Sequence, residues 1–204
     1  MGSGPSKWVQ GLHQFSEGTM DFTGTIMALD IASSMGLCIG CPGEKPRFEV
    51  IKLAKKDDEP LDVFDRAVGW AAERFMVEKP DRLYIEAPTQ SLSMGGKTNA
   101  RTILILYGLY ATIGGVARRK GIMVREGKVQ TIRKHFIGHG NLKGPEAKRK
   151  VAETCRLLGW EPPNHDAADS GALWHWACAQ VAPKLVPAVD PLSLQIAAKQ
   201  REVF

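Results

Sequence analysis

"TIMALDIASSMGLCIGC", residues 25–41, is the stretch whose reading decides the fold. An apolar run from Ile26 to Ile31 meets a turn of small residues, Ala32 to Gly36, and a second apolar run reaches from Leu37 to Cys41. Two apolar runs about a small-residue turn predict a β-hairpin. Asp30 interrupts the first run, inside a strand that reads as buried. An ionised carboxylate in such a place is costly unless something positive compensates it.

Working outward, "RFEVIKLA" alternates polar and apolar residues and adds a third strand. Residues 61–78 carry helical periodicity through Leu61, Phe64, Val68, Ala71 and Phe75, and Pro80 stops that helix. "RLYIEAP" is a short buried strand with Glu86 near its end. A long helix is predicted from about Arg101 to Lys120, then a strand in "GIMVREG". "VQTIRKHFIGHGNLKG" reads as a short basic helix and turn. Pro145 opens the next helix, because proline suits a first helical turn. A final helix runs from near His165 to around Pro183. Three strands, helix, strand, helix, strand, helices: this order predicts an α/β domain, a mixed sheet with helices on its faces. The expected organisation is an N-terminal extension over 1–23, one domain over 24–182 and a tail over 183–204.

At 204 residues the chain can bury one sizeable core, and 44% hydrophobic and 24% charged residues are ordinary for a globular domain. A net charge of +5 permits a polyanionic partner. No apolar run approaches the ~20 residues of a membrane helix, and the first 24 residues lack the apolar core of a leader, so the expectation is no membrane and a cytoplasmic protein. The four cysteines, Cys38, Cys41, Cys155 and Cys178, include a lone CxxC without the second close pair a zinc site needs. They read as small core residues in a reducing compartment.

"NHDAADSGALWHWA", residues 164–177, carries two more acids in an apolar setting. On a helix Asp166, Asp169, Leu173 and Trp176 share a face, so the acids prolong the apolar stripe. Asn164 is placed to cap that helix. Backbone donors at element ends could satisfy each acid separately. The economical alternative is that Asp30, Glu86, Asp166 and Asp169 converge and share hard divalent cations, Mg2+ or Mn2+. Two such ions would activate water and stabilise a leaving oxygen in phosphodiester cleavage.

"IMALDIASSMGLCIG", "RLYIEAP" and "NHDAADSGALWHWA", in that order, resemble the RuvC family of Holliday junction resolvases, which belongs to the RNase H-like nucleases. Asp30 matches the family's first-strand Asp, Glu86 the Glu that ends its fourth strand, and Asp166-Ala167-Ala168-Asp169 the motif opening its final helix. "GPEAKRKVAETCRLLG" is similar to the Lys-rich segment before that motif. The resemblance covers roughly residues 24 to 182. It implies a five-stranded RNase H-like sheet, catalysis and metal binding by these four acids with two Mg2+ per site, and a homodimer that nicks branched DNA symmetrically. The family's aromatic residue just after the Glu has no counterpart in "EAPTQSLSMGG". That departure points to branched substrates broader than the four-way junction.

Phosphate contacts are expected from Lys143 and Lys148, within a cationic run near a helix start, and from Lys97 and Arg101 around a Gly-rich loop. Arg133, Lys134 and His135 lie just upstream of that run. "GGKT" is not a nucleotide-binding loop, because Ser91 stands where the motif requires glycine. His165 adjoins Asp166 and reads as part of the helix cap or as an aid to metal binding or proton transfer. His135 and His139 lack the glutamate of a zinc-hydrolase helix. Trp174 and Trp176 read as core or dimer anchors. Two other readings of the same fold are an enzyme acting on RNA and a non-catalytic nucleic-acid-binding module.

Overall fold

The structure, a computed structural model, describes residues 22–88 and 100–190. Its elements are β1 (Ile26–Asp30), β2 (Ser34–Gly40), β3 (Arg47–Lys52), α1 (Pro60–Val77), β4 (Arg82–Glu86), α2 (Ala100–Arg119), β5 (Met123–Gly127), α3 (Val129–Ile137), α4 (Gly144–Leu157) and α5 (His165–Val181). A single 3-10 turn, Pro183–Leu185, follows. The expected hairpin forms, with β2 starting at Ser34, inside the stretch read as turn. The amides of Leu53 and Ala54 both donate to the Ser33 carbonyl, which ties the chain after β3 to that turn.

The five strands lie in the order β3-β2-β1-β4-β5. β1 pairs antiparallel with β2 and parallel with β4, and β5 extends the sheet parallel to β4. Alternation along β1 sends Met27 and Leu29 to one face, and Ile26 and Ala28 to the other. The first face is covered by α1 and α2 through Val63, Ala67, Phe75, Leu109 and Ile113. The second is covered by α5, backed by α3 and α4, through Leu173, Trp174, Ala177, Phe136 and Val151.

α5 is buried on nearly every side, with Ser170, Ala172, Trp174 and His175 as inaccessible as Leu173. The amphipathic stripe expected from Asp166 to Trp176 therefore lacks a solvated opposite face. A helix apolar all round is the mark of a core element. Trp174 is a core residue, its Nε1 donating to the carbonyl of Ile26 at 3.1 Å. Trp176 is half-buried, edge-on to Tyr84. All four cysteines are free, and Cys38, Cys155 and Cys178 are buried.

Among the described residues α2 alone is long and apolar enough to cross a membrane by length and composition, unlike the sequence reading, which found no such run. It packs along α1 and against the sheet. Parts of both flanking regions pack on the domain. The Phe22 ring lies 4.2 Å from the Arg82 guanidinium, and Val186 and Val189 cover the α5 side of the core.

Candidate active site

Strand geometry sets two of the acids. Leu29 and Ile85 are partners in the parallel β1–β4 ladder, so Asp30 and Glu86, one residue on, end adjacent strands at the same level. Period-2 alternation puts Asp30 on the face of Ile26 and Ala28, and Glu86 on the face of Tyr84. That is the face α5 covers, so both carboxylates point toward the start of α5.

The start of α5 is fixed just as tightly. The Asn164 side chain accepts from the Ala167 amide at 2.8 Å, the expected N-cap. Gly36, the β2 partner of Asp30, carries the helix directly against the sheet. A Cβ at Gly36 would lie 2.0 Å from the Asp166 carbonyl oxygen, so only glycine admits this approach. Residues 166 and 169 thus come down beside Asp30 through a backbone-to-backbone seam.

Electrostatics links Asp30, Glu86 and Asp169. Burial pushes the Asp30 carboxyl well above its ordinary range, and Glu86, Asp169 and Asp166 push it further, in that order. Glu86 is raised to about 7, by burial first and then by Asp169. Asp169 is raised by burial and by Asp166, against the pull of Lys148 and Arg133. Like charges close together and partly withdrawn from water disfavour the ionised forms. Lys148 Nζ stands 3.4 Å from Asp166 Oδ1, and among the described residues no salt bridge reaches Asp30, Glu86 or Asp169. The half-exposed Lys148–Asp166 pair contributes about 0–1 kcal/mol, too little to offset burial of the others.

The donor set is all oxygen and strongly anionic, the chemistry that suits Mg2+ or Mn2+. As the side chains stand, no three His, Cys, Asp or Glu residues among those described form a set that could hold an ion. The carboxylates share a region without closing a cage around it.

The cationic expectations divide. Lys148 joins the acids. Lys143 is exposed at the N-cap of α4, and its carbonyl accepts from the Ala147 amide. Arg101, at the exposed start of α2, donates to the carbonyl of Asp58 rather than facing the carboxylates. Lys97 lies outside the described residues. His165 is exposed and close enough to Asp169 to favour its charged form. Arg133 is the residue that sequence reading undervalued: from α3 it lowers the proton affinity of both Glu86 and Asp169. Its place in a basic run was visible, but not that α3, starting just after the strand partner of Glu86, brings it within electrostatic reach of the acids.

No family model matches this chain, and no curated protein matches its sequence. Solved structures do match its fold. RuvC of Thermus thermophilus superposes with a TM-score of 0.58 at 18% identity, covering 76% of this chain and 95% of that one. The same protein in complex with a Holliday junction substrate gives 0.58 and 18%, covering 78% and 98%. The yeast mitochondrial Holliday junction resolvase Ydc2 gives 0.54 and 14%, covering 88% and 83%. The chain thus shares the fold of RuvC-like RNase H-type nucleases.

Proposed function

We propose that this protein is a metal-dependent, structure-selective endonuclease that cleaves branched DNA by phosphodiester hydrolysis. The observation that carries this reading is convergence: Asp30 and Glu86 end adjacent strands on the face that α5 covers, Asp169 is buried in α5 over that face, and none of the three has a salt bridge among the described residues. Such an arrangement works against stability, and repulsive buried carboxylates mark functional sites more often than structural ones. The fold shared with Holliday junction resolvases supports the same assignment.

Asp30, Glu86, Asp166 and Asp169 would hold two Mg2+ or Mn2+ ions, which when bound would supply water activation and leaving-group stabilisation. The chain's own cations have a separate task. Lys148 and Arg133 flank the carboxylates and would hold a substrate phosphate over them, offsetting its charge. Lys143 lies on the same helix start as Lys148, where exposed cations and amide donors favour a DNA backbone. Arg101 and Lys97 would follow a second stretch of backbone.

A second copy of the chain is the partner we infer. Leu104 and Tyr107 on α2 are 52% and 42% exposed, and Ala111 and Gly115 continue the same open face. Bulky residues at one end and small ones at the other suit antiparallel pairing of two α2 helices about a twofold axis. Sedimentation at micromolar concentration should give a dimer, and Tyr107→Glu should shift it to a monomer.

The decisive assay compares four-way junction, flap, linear duplex and RNA–DNA hybrid substrates, with Mg2+ and with EDTA. Mg2+-dependent cleavage of branched DNA in preference to linear duplex is the expected result. Cleavage of the hybrid alone would assign the site to RNA, and binding without cleavage of any substrate would leave a non-catalytic module.

A further inference from the structure

His175 lies on α5, 1% exposed, among Phe136, Trp160 and His135. Its Nε2 stands 2.9 Å from the carbonyl of Pro187, and its Nδ1 stands 2.9 Å from Nε2 of His135. A carbonyl can only accept, so His175 carries its proton on Nε2. The Nδ1 of the neutral ring is then an acceptor, and His135 Nε2 must donate to it. One directed chain results, from α3 through α5 to the segment after it. Burial and the neighbouring His135 hold the His175 ring neutral down to about 4, so the direction of the chain is stable at working pH.

α3 needs such an anchor. It has nine residues and no side-chain cap at its N-terminus. A helix that short holds its place only through tertiary contacts. Ile132 and Phe136 are its two buried residues and lie on one side of the helix. His135 fixes one flank, and Arg133, two positions earlier and about 200° around the helix, projects from the other. α3 starts two residues after Gly127, the strand partner of Glu86, so the rotation that His135 sets governs where Arg133 lies relative to the nearby carboxylates.

We infer that His175 is a positioning residue for cleavage, acting through His135 to hold α3 in the rotation that presents Arg133 to the carboxylates. This rests on the nuclease reading above. His175 touches no reacting group. It matters because it is the only partner of His135 that reaches across from the acid-bearing helix, among the hydrogen bonds of the described residues. The inference concerns hydrogen-bond direction, so Gln, which can both donate and accept, should replace it in part, and Leu should not.

The test is a double-mutant cycle with a structural control. His175→Leu should lower kcat about tenfold at saturating junction DNA, with KM within about twofold, as expected when a group misaligned by one helix rotation loses its transition-state contact. In an Arg133→Ala background the same change should cost less than about twofold, because the two act on one interaction. His175→Gln should recover part of the lost kcat. Equal losses in both backgrounds, or no loss, would overturn the inference. Amide hydrogen exchange decides it without any cleavage: His175→Leu should speed exchange in α3 and leave α1 and α2 unchanged. If the wild-type protein cleaves nothing, the nuclease reading falls, while unchanged α3 exchange would sink the latch itself. Should His175→Leu not fold, His135→Leu breaks the same bond from the more exposed side and serves in its place.

Discussion

Glu86→Gln should make the metal-free protein more stable at pH 8. Glutamine keeps the size and hydrogen-bonding capacity of the side chain and removes the charge that burial and Asp169 oppose. The folded protein holds the Glu86 proton up to about 7, against an ordinary value of 4.5. Below 4.5 the group is protonated in both folded and unfolded chains and affects neither. As pH rises from 4.5 to about 7, the unfolded chain releases its proton first, so wild-type stability falls across that window. The interval corresponds to at most about 3 kcal/mol at 1.4 kcal/mol per tenfold change, and partial solvent access lowers it to about 2 kcal/mol. Urea unfolding in EDTA at pH 8 should therefore give a higher midpoint for Glu86→Gln, with an unchanged slope. At pH 4.5 the two proteins should unfold together. Saturating Mg2+ should reverse the order at pH 8, because an ion bound only by the folded state stabilises the wild type more. Equal or lower stability of Glu86→Gln in EDTA at pH 8 would refute the reasoning, as would an advantage undiminished at pH 4.5.

Asp30→Asn should abolish junction cleavage while gel-shift affinity in EDTA stays equal to or above that of wild type; full activity would remove Asp30 from the reaction. Gly36→Ala should cost about 3 kcal/mol or more by chemical denaturation, because the new methyl meets the Asp166 carbonyl rather than a movable side chain, and the survivors should be inactive. His175 has the opposite pH signature to Glu86. Its folded value of about 4 lies below the ordinary 6.5, so its contribution is intact above 6.5 and is lost as pH falls through 4, in total about 3 kcal/mol. Acid titration of unfolding should show this limb in the wild type and lack it in His175→Gln.

Much of the architecture was legible because local chemistry and tertiary structure agree. The small-residue turn after Asp30, the Pro80 stop and the Asn164 cap each mark a boundary close to the observed one. The acids were legible for a different reason: each conflicts with its surroundings, and a charge in a buried strand is conspicuous in one dimension. Contacts between distant segments were not. Nothing near Gly36 signals that residue 166 will rest on it, since any small residue fits a turn equally well. His135 and His175 lie 40 residues apart, and each alone is an ordinary histidine. Arg133 was visible as a charge but not as an orientation, which depends on how α3 is rolled. The buried circumference of α5 was hidden for a related reason, because alanine and serine do not declare which neighbours will cover them.

The backbone seam between Gly36 and Asp166 has a consequence for when the candidate site is complete. Two of the four candidate site carboxylates, Asp30 and Glu86, come from the first hundred positions and two, Asp166 and Asp169, from α5, so a partly synthesised chain holds an incomplete set. Loss of α5 by truncation or proteolysis would remove two carboxylates and uncover one side of the sheet in the same event. On the nuclease reading proposed above, the site stays incomplete until α5 has docked, and damage that undocks the helix takes it apart.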